Sequence, residues 1–116
     1  MNKVLLVLLI AILAIISCEK QESPNMETLR KLYKYYKYGE IDQCKLGDKI
    51  VFCAGQSHYD ASSYIYDNSG IQIGACHWAW GPVDPICNQL TSCEVIYRCE
   101  NHINGEPPVD KYSLGD

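Results

Sequence analysis

Cys44, Cys53, Cys76, Cys87, Cys93 and Cys99 lie within one stretch of 56 residues, and their state decides what this chain can fold into. A unit of that length buries only about 60% of the surface its unfolded chain exposes, so cross-links are expected to supplement a small core. The gaps between successive cysteines are 8, 22, 10, 5 and 5 residues, with no Cys-x-x-Cys pair. That spacing gives little support to a zinc knuckle or a thioredoxin-type redox site. Three disulfides are the expectation, each worth about 2 to 4 kcal/mol, if the chain reaches an oxidising compartment.

The N-terminus supplies that condition. Lys3 precedes an uninterrupted apolar run of thirteen residues, Val4 to Ile16. As a helix this run reaches about 20 Å, short of the roughly 30 Å hydrocarbon core of a bilayer. Residues 1–17 therefore read as a signal peptide and not as a mature transmembrane span. The run ends in Ile15-Ile16-Ser17-Cys18, which resembles the lipobox of bacterial lipoproteins, with small Ser17 before the cysteine and aliphatic Ile15 three positions upstream of it. The resemblance covers the signal alone. It implies cleavage before Cys18, a diacylglycerol on the Cys18 thiol, a fatty acyl chain such as palmitate on the new N-terminus, and a membrane partner reached through that anchor. Where lipoprotein sorting operates, Glu19 after the cysteine implies the outer membrane, so the expected location is exported and anchored at the cell membrane or outer membrane. Setting Cys18 aside leaves six of seven cysteines, an even number for disulfides. The alternative is an ordinary secretory signal, cut near Ser17 or Cys18, that frees a cysteine-rich effector or inhibitor.

Charge is uneven along the expected mature chain. Glu19 to Gly39 carries +2, and Glu40 to Asp116 carries −7. An acidic domain lacks the electrostatic footprint of a nucleic-acid partner. Glu19 to Pro24 is polar and aperiodic, as in a flexible tether. Asn25 then suits an N-cap, Glu27 the first turn, and Leu29, Leu32, Tyr33 and Tyr36 share one helical face, with Gly39 as a stop. Arg30, Lys31, Lys34 and Lys37 cover much of the remainder. Such a helix either rests on an anionic lipid surface or packs its Leu/Tyr face on the domain, and packing is the commoner use of such a stripe.

Residues 40–100 form the expected cysteine-rich globular unit, after a lipidated N-terminus, tether and helix over 18–39. Lys49 to Ala54 suits a strand, and Ser62 to Tyr66 with Ile71 to Ala75 suits a hairpin about Asp67-Asn68-Ser69-Gly70. Glu94 to Arg98 alternates, placing Cys93, Val95, Tyr97 and Cys99 on one face. An extended segment of that length holds Cys93 and Cys99 too far apart to bridge each other. Asp84 and Pro85 could start a short helix through Leu90. The turn-rich segment 101–116 is expected to be a loosely ordered tail. The fold class is therefore α+β: a small disulfide-rich domain with a short antiparallel sheet and one N-terminal amphipathic helix.

Candidate sites are few. Trp78 and Trp80, two residues apart, form either a stacking platform for a glycan or protein partner, or part of the core. The balance favours burial of at least one. His58, His77 and His102 lack a paired metal-ligand spacing, so no metal and no cofactor are expected. Tyr59-Asp60-Ala61-Ser62-Ser63 offers Ser and Asp but lacks the setting of a nucleophile elbow. The expected role is that of a non-enzymatic cell-envelope lipoprotein, a binding or structural module.

Overall fold

A computed structural model describes residues 22–79 and 81–116, together with Lys3. The apolar run, Cys18 and Trp80 lie outside the described residues. Helix α1 (Met26–Tyr36) is followed by strands β1 (Gly39–Leu46), β2 (Lys49–Gln56), β3 (Ser63–Asp67), β4 (Gln72–Cys76), β5 (Thr91–Arg98) and β6 (Val109–Asp110). A single 3-10 turn, Pro85–Asn88, lies between β4 and β5. The strands form one antiparallel sheet in the order β4-β3-β2-β1-β5-β6. The protein is thus a small α+β domain containing disulfides.

The helix begins where its cap chemistry puts it. The Asn25 side chain accepts from the backbone N–H groups of Glu27 and Thr28 at 3.1 and 3.4 Å, taking up two donors that the first turn leaves free. Leu29, Leu32 and Tyr36 then fall on one face and are buried against Ile41, Phe52, Ala54 and Ile96 of the sheet. Arg30, Lys31, Lys34 and Lys37 are exposed. Packing on the domain is therefore the use of the apolar stripe, and α1 belongs to the same core as the strands.

Strand β2 distributes its side chains between two faces with period two. Ile50, Phe52 and Ala54 enter the helix-side core, whereas Val51 and Cys53 face a second, smaller cluster with Cys44, Ile65, Cys76 and Cys87. The disulfides Cys44–Cys93 and Cys76–Cys87 both belong to this second face. Cys53 and Cys99 are free thiols. The expectation of three bridges is corrected here to two. Cys99 packs in the helix-side core and Cys53 on the opposite face, with β1 between β2 and β5, so the sheet itself separates the two thiols.

Three further expectations are revised. Gly39 is not the helix stop, because α1 ends at Tyr36 and Gly39 opens β1. A Cβ there would lie 2.0 Å from the Gly55 carbonyl oxygen, so the glycine serves the close approach of β1 to β2. In β5 the alternation fails. Ile41 pairs with Tyr97 and Asp42 with Val95, leaving Ile96 as the extra residue of a bulge, and both Ile96 and Tyr97 are buried on the helix side. The segment 101–116 is docked, not loose. β6 pairs with β5, Asp110 accepts from the N–H groups of Leu114 and Gly115 at 2.7 and 2.9 Å, and Leu114 is buried. Tyr112 adds a hydroxyl bond of 2.9 Å to Gln43.

The polar segment before α1 is pinned as well. Glu22 accepts from the Ile50 N–H at 2.7 Å, and the Asn68 amide donates to Glu22 and to the Ser23 carbonyl at 3.2 and 2.8 Å. The described fold therefore begins at Glu22 and not after a tether running to Pro24.

Candidate functional site

The far end of β2, where Gly55 and Gln56 leave the sheet, opens into a cleft of about 430 Å³. Its floor comes from β1 and β2 (Glu40, Asp42 and Cys53), and its walls from the loops around His58, Trp78 and His102. Those loops are tied to one another. The Ile103 N–H donates to the Ser57 hydroxyl at 2.8 Å, binding the C-terminal segment to the β2–β3 loop. Ser62 and His77 share a 2.6 Å hydrogen bond between hydroxyl and Nδ1, and the His77 ring meets the edge of Tyr64. His77 thus fixes the start of the segment that carries Trp78.

Trp78 is 61% exposed, so the expected burial is not found for it; the Trp80 half of that expectation lies outside the described residues. Cys76, buried at 0% exposure, ends β4 and Cys87 bridges back to it from the 3-10 turn, which closes the base of the loop. Of the described residues between them, Trp78, Ala79, Gly81 and Pro82 are exposed, whereas Val83 and Ile86 pack against the second cluster. Asp84 is the N-cap residue and Pro85 opens the short helix, as expected, but the Asp84 side chain makes no capping bond and accepts from the Ala75 N–H at 2.9 Å, which secures that base. The turn stops at Asn88, short of the expected Leu90.

The floor is acidic and partly desolvated. Asp42 follows Glu40 by two residues on β1, so the two carboxyls share a face. Burial, and next the neighbouring negative charge of Glu40, push the Asp42 carboxyl up to about 7. Its Oδ1 is buried without a hydrogen-bond partner. Glu40 is held by Arg98, whose Nε lies 2.6 Å away and whose other nitrogens reach Glu106 at 2.6 Å and the Pro107 carbonyl at 3.1 Å. Arg98 thereby joins β1, β5 and the C-terminal segment behind the cleft. Cys53 beside Asp42 is pushed up to about 11, chiefly by burial and then by the Asp42 charge, so at neutral pH it is a thiol and a weak nucleophile.

Of the cysteines read from the sequence, only Cys53 reaches this cleft. Cys44, Cys76, Cys87 and Cys93 form the two bridges, Cys99 lies on the far face, and Cys18 is outside the described residues. Ser62 does meet a histidine, but through His77, which the Tyr59–Ser63 run did not indicate. Among the described residues, no carboxylate hydrogen-bonds His77, the role that orients the imidazole in a serine hydrolase. No group of three His, Cys, Asp or Glu side chains suited to a metal ion occurs among them either. Glu40 and Asp42 were missed as site residues. Their spacing of two in a segment with no other strand signal was the available clue. Compared with protein-family models, curated proteins and solved structures, the chain shows no match.

Proposed function

We propose that this protein is an exported lipoprotein of the cell envelope, anchored through Cys18, whose globular domain is a binding module working through the Trp78 cleft. The observation that carries the binding reading is the exposed indole of Trp78, on a loop closed at its base by the Cys76–Cys87 disulfide and beside a polar cleft. A large aromatic left in solvent on an ordered base is a suitable anchor for a partner.

The placement of the cleft supports the anchored reading. Only residues 19–21 separate Cys18 from Glu22, which is bonded to Ile50 near the start of β2. The cleft lies around Gln56 at the other end of that strand, about 20 Å away at roughly 3.3 Å per residue. An anchored domain would hold its attachment at one end of the sheet and its cleft at the other. Among the described residues, no helix is long and apolar enough to cross a membrane. A freely secreted effector remains the second reading, since the fold would serve either product.

Fractionation tests the anchor. The wild-type chain should partition with membranes, and Cys18→Ser should move to the soluble fraction or fail to be processed; normal processing with unchanged partitioning contradicts the proposal. Binding is tested with isolated envelope fractions. Trp78→Ala should bind them less while keeping its melting temperature, and equal binding would remove Trp78 from the site.

A further inference from the structure

The Trp78 cleft does not end at its own walls. It shares Gln56, His58 and Asp60 with a neighbouring cavity of about 310 Å³, which in turn shares Tyr35, Tyr36 and Tyr64 with a third, of about 450 Å³, against α1 and β3. The three adjoin through these shared side chains and together make up the groove. Aromatic side chains flank its middle cavity: Trp78 and Tyr59 in the first cavity, and Tyr35, 72% exposed on the last turn of α1, where the second meets the third. Its middle is polar. Gln56 is fixed there by donating its amide N–H to the Tyr35 carbonyl at 3.1 Å, and His58 and Asp60 are exposed beside it.

The charge of the groove narrows what it can take. Glu40, Asp42 and Asp60 line the first two cavities without a lysine or arginine, and Lys31 borders the third. Anionic ligands are repelled along the first two cavities, where phosphate or acidic polymers find no partner. A purely apolar ligand would strand the polar side chains of the middle section. A pyranose chain matches both properties. Each ring has C–H faces that lie favourably on the negative face of an aromatic ring, and a rim of hydroxyls that both donate and accept. Amide, imidazole and carboxylate groups each present polar atoms to such hydroxyls. Several rings in a row would meet aromatic, polar and aromatic surface in the order in which this groove presents them.

We propose that the groove binds a neutral oligosaccharide, with Trp78 and Tyr35 stacking on sugar rings on either side of its middle and Gln56, His58 and Asp60 pairing with hydroxyls between them. This rests on the binding-module reading above and names its ligand class. Both stacking residues are exposed, so their replacement leaves the core intact.

The test titrates the full lipidated protein in detergent micelles with three neutral hexasaccharides (hexa-N-acetylchitohexaose, cellohexaose and maltohexaose) and with anionic hexagalacturonate, by calorimetry and indole fluorescence. At least one neutral chain should bind saturably, with hexagalacturonate about tenfold weaker or worse. Trp78→Ala and Tyr35→Ala should each weaken the bound chain about tenfold, with melting temperatures unchanged. Absence of binding by all three at millimolar concentration, equal binding of the anionic chain, or variants that bind as the wild type does would overturn the proposal. Loss of envelope binding on Trp78→Ala that neutral hexasaccharides fail to compete would overturn the sugar while leaving the binding module standing. Fractionation of Cys18→Ser reports on the anchor independently of all these outcomes.

Discussion

The two faces of this sheet are held together by different means. The helix side has a second layer: α1 covers it, the C-terminal segment closes it with Leu114, and no disulfide enters it. Among the described residues, the opposite side is covered by no element beyond the 3-10 turn and its flanking Val83 and Leu90, and both disulfides are found there. Where chain is available to bury apolar side chains, burial suffices; where it is not, covalent closure replaces the missing layer. The cleft occurs at the end of the thinly covered face, where Cys53 and Asp42 are only half-buried. A fully layered face would have filled that space.

The helix-side core should show the largest effect. Phe52→Ala, on the helix face with the side chain fully buried, should cost about 3 to 5 kcal/mol, measured by denaturant melts. A loss below about 1 kcal/mol would mean that the helix-side layer is not the main support. On the other face, replacing Cys44 and Cys93 together by Ala should cost about 2 to 4 kcal/mol, and more than replacing Cys76 and Cys87, because the bridges close sequence separations of 49 and 11 residues. The reverse order would show that local strain or packing, and not loop closure, governs the disulfide face. At the rim, Trp78→Ala should change stability by no more than about 0.5 kcal/mol. A larger loss would assign the indole a packing role that its exposure does not indicate.

The pH dependence of stability reports on the cleft floor. The Asp42 carboxyl is raised in the folded state, so the fold binds this proton more tightly than the unfolded chain does. Its contribution to stability is present in full below the unfolded value near 3.8 and is lost as pH rises through about 7. The wild type should accordingly lose melting temperature between pH 5 and pH 8 relative to Asp42→Asn. Asp67 works in the opposite sense, lowered by the backbone N–H groups it accepts, so its contribution fades only as pH falls into the acid range. A difference between wild type and Asp42→Asn that stays flat from pH 5 to pH 8 would contradict the buried placement of this carboxyl.

What the sequence made legible was local. The hairpin over 63–76 was readable because Asp67 accepts from its own turn at Ser69 and Ile71, and Gly70 supplies the positive φ of 90°. The cap of α1 was readable for the same reason. β1 was not, because a central strand carrying Glu40, Asp42 and Gln43 lacks the apolar pattern of its position. Those polar residues are there because one face meets the cleft and Gln43 meets Tyr112. The C-terminal segment was misread because scattered contacts dock it (Ile103 to Ser57, Glu106 to Arg98, Val109 and Asp110 in β6, Tyr112 to Gln43, and buried Leu114), with no apolar period to read. Cysteine parity misled more deeply. Counting seven and setting one aside predicted three bridges, but parity carries no information about which face a side chain occupies, and the sheet keeps Cys53 and Cys99 apart. The anchor at Cys18 therefore rests on the signal sequence without help from cysteine arithmetic.

The intact mass of the exported protein reports the anchor and both faces of the sheet in one spectrum. The chain should begin at Cys18 and carry a diacylglycerol and a fatty acyl group, with the hydrogens of two disulfides missing and two thiols, Cys53 and Cys99, alkylated after unfolding without reductant. An unmodified N-terminus would contradict the lipid anchor, and a chain with no alkylatable thiol would contradict the separation of Cys53 from Cys99 by the sheet.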